Sequence, residues 1–323
     1  MPPKVVVADQ KATDIEMERD LLSGLNANVV KTDATSEREL IQDALDATAI
    51  IVDGYAPMSK RVLDELDQLQ VIARAGIGVD NIDVDAATAN GVSVVNVPDV
   101  SFGNVATHTL ALLFACIRKI PLYNERVRSG SWDWKAEKPL FSLEGKTLGV
   151  VGFGSIARSL VERLEGTGVD VIGYDHSASR SELQKYGVSK VSFDELLQQA
   201  DFHSIHVPLT ESTEHLYDES TFERIKPGAI IVNTARGGIV DEEALYHAID
   251  TGVISMAGLD VLSQEPPEDS PLLSLDEVIF TPHIAWYSEE TITQLRQRAT
   301  EEVNRVLSGN DPLNPVNTLV ASS

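Results

Sequence analysis

The sequence predicts an α/β protein of two domains, each built on a parallel sheet. Three observations carry that expectation. Short apolar runs alternate with amphipathic stretches over the first hundred residues. A glycine-punctuated strand-to-helix turn follows near residue 152, and a second alternating series runs on to about residue 286. With 323 residues the chain is long enough for two separate cores.

In the first series, residues 4–8, 28–31, 49–52, 70–74 and 92–96 read as strands. Residues 37–45 and 60–66 read as amphipathic helices between them. This half has no glycine fingerprint and is not expected to hold a nucleotide. Residues 105–120 form a strongly apolar helix candidate that would carry the chain into the second domain. Residues 133–144 read as a loop with two tryptophans nearby, Trp132 and Trp134. The second sheet would use residues 148–151, 169–174, 202–207, 229–233, 255–259 and 278–281. A long charged helix, 289–307, would return to the first domain. The predicted domains are therefore 1–100 with 287–323, and 101–286.

The turn after 148–151 reads Gly152-Phe153-Gly154-Ser155-Ile156-Ala157. The first glycine permits a tight turn and the second lets backbone approach a pyrophosphate. The third position must be small for helix to pack on strand, and Ala157 suffices. Backbone N–H groups and the positive helix end would face the phosphates. Asp175 ends the next strand, 21 residues beyond Gly154 (175 − 154), close to the spacing of about 20 for a ribose-binding acid. An acid there favours NAD, since it accepts from a 2′-hydroxyl and repels a 2′-phosphate. His176, Ser177, Ser179 and Arg180 would reach a phosphate if Asp175 turned away, so NADP stays open beside NAD; otherwise these four form a solvated loop.

Composition bounds the rest. Hydrophobic residues make up 43%, which excludes an acidic disordered chain. No apolar run reaches membrane-spanning length and no signal peptide is visible, so a cytoplasmic protein is expected. The lone Cys116 excludes an internal disulfide and a cysteine metal cluster, and no metal is expected. Its apolar surroundings predict burial. Asp plus Glu number 50 against 26 Lys plus Arg, a net charge of −24, which argues against nucleic acid as a partner. The acids are scattered and there are only eleven lysines. Two explanations fit: a surface adapted to concentrated salt, which the lysine count favours, or ordinary solubilising charge.

Arg236, Glu265 and His283 stand in NTARGG, QEPP and TPHIAW. A guanidinium grips a carboxylate through two parallel hydrogen bonds. An imidazole moves one proton near neutral pH, and a carboxylate beside it orients the ring and favours its charged form. Taken singly, they would read as a salt-bridge partner, a loop-shaping acid before two prolines and a satisfied core histidine.

Several segments in one order supply the context: RAGIGVDNID at 74–83, GVVGFGSIA at 149–157, HVPLT at 206–210, NTARGG at 233–238, GLDV at 258–261, QEPP at 264–267 and TPHIAW at 281–286. Over nearly its whole length the chain resembles the D-isomer-specific 2-hydroxyacid dehydrogenase family. The resemblance implies a Rossmann nucleotide-binding domain, a flavodoxin-like substrate domain and an active site in the cleft between them. It implies hydride exchange between NAD(P)H and a small 2-keto acid, giving the D-2-hydroxy acid. Arg236 would bind the substrate carboxylate, His283 would protonate the keto oxygen, and Glu265 would hold the imidazole. Arg74, Ala75, Gly76, Ile77 and Gly78 would complete the carboxylate site, and Tyr55 and Trp286 would wall the substrate side chain. Asp260 would bind the nicotinamide carboxamide. His206, Val207, Pro208, Thr213, Thr234, Ala235 and Ala285 would line the cofactor groove. A homodimer through the nucleotide domains is also implied. The same segments resemble the C-terminal-binding proteins, corepressors on this fold, which is the alternative reading. One departure stands out: family members carry VAEH where this chain has Val105-Ala106-Thr107-His108, so no role passes to Thr107.

Overall fold

The computed structural model describes residues 2–9 and 12–319. The chain divides into two compact units, Met1–Ser101 with Tyr287–Ser323, and Phe102–Trp286.

The first unit holds strands β1 (Lys4–Ala8), β2 (Asn28–Lys31), β3 (Ala49–Val52), β4 (Val71–Arg74) and β5 (Ser93–Val95). Its helices are α1 (Glu16–Leu21), α2 (Glu37–Ala44), α3 (Lys60–Glu65) and α4 (Val84–Ala89). The sheet order is β2-β1-β3-β4-β5 and every pairing is parallel. This is the flavodoxin order. Covered on both faces, the central strands lose alternation, and all four residues of β3 are fully buried. The C-terminal segment covers the free edge of β5: Val316 N–H donates to Val94 O (2.8 Å), and Asn317 Oδ1 accepts from Val94 N–H (2.8 Å). The long C-terminal helix of this unit spans Glu289–Leu307 and packs on β3, β4 and α1. Its Arg296 grips the fully buried Glu18 through two bonds of 2.9 Å.

The second unit opens with α5 (Phe102–Arg118) and α6 (Ile120–Arg128). Strands β6 (Thr147–Val151), β7 (Asp170–Tyr174), β8 (Ser189–Lys190), β9 (Phe202–Ile205), β10 (Ala229–Asn233), β11 (Ile254–Leu259) and β12 (Val278–Phe280) follow. Helices α7 (Ser155–Arg163), α8 (Arg180–Gln184), α9 (Phe193–Gln199), α10 (Glu219–Phe222) and α11 (Glu242–Asp250) lie between them. The parallel sheet runs β12-β11-β10-β9-β6-β7-β8. Counted from β6, that is the dinucleotide-binding order 3-2-1-4-5-6 with one added strand, reversing between β6 and β9. Successive residues of β10 feed opposite cores: Ile231 packs with Ile205 and Leu259, and Val232 with Leu148 and Met256. Helix α5 packs against α7, β10 and β11. Its Cys116 is buried, which pushes the thiol up to about 12 and makes it a packing residue.

Element boundaries differ modestly from expectation. The strand expected at 202–207 ends at Ile205, and the apolar helix begins at Phe102. Helix α6 was not expected. It follows Lys119, which has φ 48°, and contains no buried residue, so no apolar stripe announces it. No single helix among the described residues is long and apolar enough to cross a membrane.

Candidate active site

Because the strands of the second sheet are parallel, the loops after β6, β9, β10, β11 and β12 emerge at the same sheet edge, which is where open α/β sheets hold ligands. At the reversal point Gly152 has φ 90°, and a Cβ there would lie 2.7 Å from the His206 carbonyl oxygen. Gly154 caps α7 without a side-chain hydrogen bond, and a Cβ on it would meet nothing within 4 Å. The first amides of α7, beginning with Ser155 and Ile156, thus start a nine-residue helix open to an anion. Phe153 is buried beneath the turn. Arg158, which sequence reasoning missed, donates Nε–H to Phe153 O (3.2 Å) and lies over the Phe153 and Tyr186 rings. Its spacing of one helical turn from Ser155 was the available signal.

Asp175 departs from the simple expectation of an acid open to a ribose. Its Oδ1 accepts from Ser177 N–H (2.7 Å), Ser177 Oγ–H (3.0 Å) and Ala178 N–H (2.6 Å), and its Oδ2 from Phe153 N–H (2.7 Å). Oδ1 is filled; Oδ2 retains one acceptor site for a hydroxyl. Burial raises this carboxyl, but the amides of Ala178, Phe153 and Ser177 outweigh it and hold the group below the usual aspartate value. His176 and Arg180 are exposed, as are Ser177 and Ser179.

The loop after β9 is internally braced. Thr213 Oγ1 donates to Pro208 O (2.6 Å) and accepts from Thr210 N–H (2.8 Å). Val207 faces Gly152. His206 Nε2 lies 2.7 Å from Ser204 Oγ, and burial pushes the ring down to about 4. The neighbouring His203 is fully buried against Tyr217 and is likewise pushed down to about 4.

After β10, Asn233 shapes the next loop: its Oδ1 accepts from Ala235 N–H (3.0 Å) and its Nδ2–H donates to Arg236 O (2.8 Å). The sequence reading had assigned this asparagine nothing. Arg236 Nη1–H donates to Ala235 O (2.6 Å). A Cβ on Gly237 would sit 1.9 Å from the Leu262 carbonyl carbon, so only glycine lets the segment leading to Glu265 press against the Arg236 loop. Glu265 Oε1 accepts from Leu262 N–H (3.1 Å), and Oε2 lies 2.7 Å from His283 Nδ1. Burial raises the Glu265 carboxyl. The hydrogen bond and charge of His283, the Leu262 amide and the Arg236 charge together outweigh it and hold the group below the ordinary glutamate value. Arg236, Glu265 and His283 are thus brought into one electrostatic neighbourhood.

His283 sits at φ 52°, the left-handed region, fixed by its N–H to Asp260 O (2.8 Å) and by Trp286 Nε1–H to its own carbonyl (2.9 Å). Trp286, expected to wall the substrate, therefore also stabilises this turn. Asp260, expected to bind the nicotinamide carboxamide, braces the loop that carries His283. It is only 2% exposed, its Oδ1 accepts from Thr281 Oγ1 (2.5 Å) and Ile284 N–H (3.0 Å), and its Oδ2 accepts from Ala285 N–H (2.9 Å). Three of about four acceptor sites hold the protein's own loop. Thr234 is buried, its hydroxyl against Thr109.

In the first unit, the Arg74 guanidinium folds over glycines of two loops: a Cβ on Gly76, in its own loop, would lie 2.5 Å from Nη1, and one on Gly54, in the loop after β3, 3.2 Å from Nη2. Arg74 Nη1–H donates to Ala75 O (2.6 Å), and Asn96 Nδ2–H donates to Ile77 O (2.7 Å). Gly78 continues this partly exposed loop, and Tyr55 is 65% exposed after β3.

Residues 110–285 match the D-isomer specific 2-hydroxyacid dehydrogenase NAD binding domain. The chain is 43% identical over 289 residues to a D-3-phosphoglycerate dehydrogenase of Methanocaldococcus jannaschii, covering 89% of this chain and 55% of that protein. It thus spans about half the length of the phosphoglycerate dehydrogenases it matches. It is 37% identical to a hydroxypyruvate reductase of Thermotoga maritima, covering 93% of this chain and 95% of that one. The solved glyoxylate reductase of Paecilomyes thermophila superposes with a TM-score of 0.89 at 28% identity, covering 98% of this chain and 99% of that structure. With a dinucleotide-ordered sheet, a glycine turn open to an anion and these relatives over its length, the chain belongs to the D-isomer specific 2-hydroxyacid dehydrogenase family.

Proposed function

We propose that this protein reduces a small 2-keto acid to the D-2-hydroxy acid with NADH. The observation that carries the reading is the 2.7 Å contact of Glu265 with His283 beside the charge of Arg236, at the ligand-binding edge of an NAD-type sheet. When bound, the dinucleotide supplies the hydride. The open start of α7 and the remaining acceptor site of Asp175 fit its pyrophosphate and ribose. Arg236 holds the substrate carboxylate and draws electron density from the keto group. His283, oriented through Nδ1 by Glu265, presents Nε2 and delivers the proton to the forming alkoxide. Arg74, Ala75, Gly76, Ile77, Gly78 and Tyr55 complete the substrate assignment. The relatives named for hydroxypyruvate and glyoxylate, matched nearly end to end, support small substrates.

A panel of glyoxylate, hydroxypyruvate, pyruvate and 3-phosphohydroxypyruvate with NADH and NADPH tests this. Turnover of a small keto acid that His283→Ala lowers by about a thousandfold, with NADH binding intact, is expected. Absence of turnover throughout the panel overturns the reading. A large preference for NADPH overturns the part given to Asp175.

The subunits are proposed to pair through the second unit. There Ile120, Val127, Trp132, Trp134 and Phe141 are 48–90% exposed within one 22-residue segment (120–141).

A further inference from the structure

Helix α5 meets both loops of the proposed catalytic groups, through adjacent residues. His108 Nε2 lies 2.9 Å from Thr281 Oγ1, and Thr109 Oγ1 lies 2.8 Å from Thr234 Oγ1. Thr281 stands two residues before His283, and Thr234 two residues before Arg236. The two links join segments 173 and 125 residues apart.

Counting protons fixes the direction of each link, because a threonine hydroxyl has only one to donate. Thr281 donates its proton to Asp260 Oδ1 at 2.5 Å, so it accepts from His108, which must carry hydrogen on Nε2. Thr109 donates to Val105 O at 2.7 Å, so Thr234 is the donor in the second link. Thr109, Thr234 and Asp260 are 1%, 8% and 2% exposed, which leaves little water to replace a lost bond. From Asp260 the chain of bonds continues to the amides of His283, Ile284 and Ala285, the segment that keeps His283 left-handed. The neighbouring Thr107 takes no part: its hydroxyl bonds Gly103 O one turn back, on the exposed side.

We infer that His108 and Thr109 are a positioning pair that registers the Arg236 loop against the His283 loop, setting the span between carboxylate anchor and proton donor. They act through Thr281 and Thr234, not on the reacting atoms. The inference rests on the roles proposed for Arg236 and His283. It also accounts for a histidine in α5 that the sequence left without a function.

The test compares H108L, H108Q, T109V, T109S, T281V and T281S with wild type and H283A. Each is assayed with NADH against glyoxylate and hydroxypyruvate, and its fold is checked by circular dichroism. H108L, T109V and T281V should lower kcat about 10- to 100-fold, the cost typical of a small misplacement of reacting groups, while KM for NADH moves less than about twofold. T281S, T109S and H108Q, which keep the hydroxyl or the donor N–H, should recover most of the loss. H108L combined with T281V should be no worse than T281V alone, as for two members of one chain of bonds. Amide exchange at Ile284 and Ala285 should quicken in H108L and T281V. Folded H108L and T109V with kcat within twofold of wild type, or strictly additive losses, would overturn the inference. If H108L fails to fold, the valine and serine pairs decide alone. Wild-type turnover in H283A would instead overturn the reading of the site beneath it.

Discussion

Glu265 Oε2 lies 2.7 Å from Nδ1 of His283, which leaves Nε2 as the ring nitrogen that the carboxylate does not engage. The carboxyl is held below its ordinary value, so it stays charged through the neutral range and the ring faces a full negative charge. Glu265→Gln keeps an acceptor oxygen and removes that charge. The variant should lose about 10- to 100-fold in kcat for reduction, and the basic limb of its pH–rate profile should move to lower pH. A profile recorded from pH 5 to 9 checks this. An unmoved limb would take Glu265 out of its role.

His203 and His206 set an acid limit on stability. Burial holds both rings at about 4 in the folded protein, against about 6.5 in an unfolded chain. Below pH 6.5 the unfolded state therefore binds protons that the folded state refuses. Their contribution is complete above pH 6.5 and falls away as the pH drops to about 4, by at most about 3 kcal/mol for each ring. Urea melts between pH 7 and 4 should show this slope. His203→Gln, which does not titrate, should flatten part of it; an unchanged slope would contradict the burial argument.

The charge of −24 opposes the approach of an anionic cofactor and an anionic acid. At about 1 M salt the screening length is about 3 Å, and only contacts such as those of Arg236 survive. Raising KCl from 0.1 to 2 M should therefore lower KM for both ligands and raise the melting temperature. Full activity and stability in dilute buffer would refute the salt-adapted interpretation of the surface.

Trp132 and Trp134, 90% and 70% exposed, should be covered in a dimer. Light scattering should give a dimer for the wild type and a monomer for Trp132→Ala/Trp134→Ala. A wild-type monomer would exclude pairing through this segment.

The sheets were legible because buried parallel strands are written as apolar runs, such as Ala49-Ile50-Ile51-Val52, and the glycine turn because its spacing is stereochemical. Helix α6 was not, because Ile120 and Val127 point outward and leave no buried stripe to read. The residue types of the site were legible, but their local bonding was not. Nothing in the spacing of Asp175 says that four donors from its own surroundings engage it, and nothing in VATH says that His108 meets a threonine 173 residues away. Such links exist only after the sheet has set loop against helix.

The discontinuity of the first unit has a consequence for synthesis. Residues 102–286 form an uninterrupted unit, whereas Glu18 finds Arg296, and Val94 finds Asn317, only after another 278 and 223 residues have been made. On the ribosome the nucleotide-type unit can therefore mature first, while the earlier-made lobe waits with an unpaired acid and a bare strand edge. The first hundred residues are the portion of the nascent chain that most needs protection until the last helix emerges.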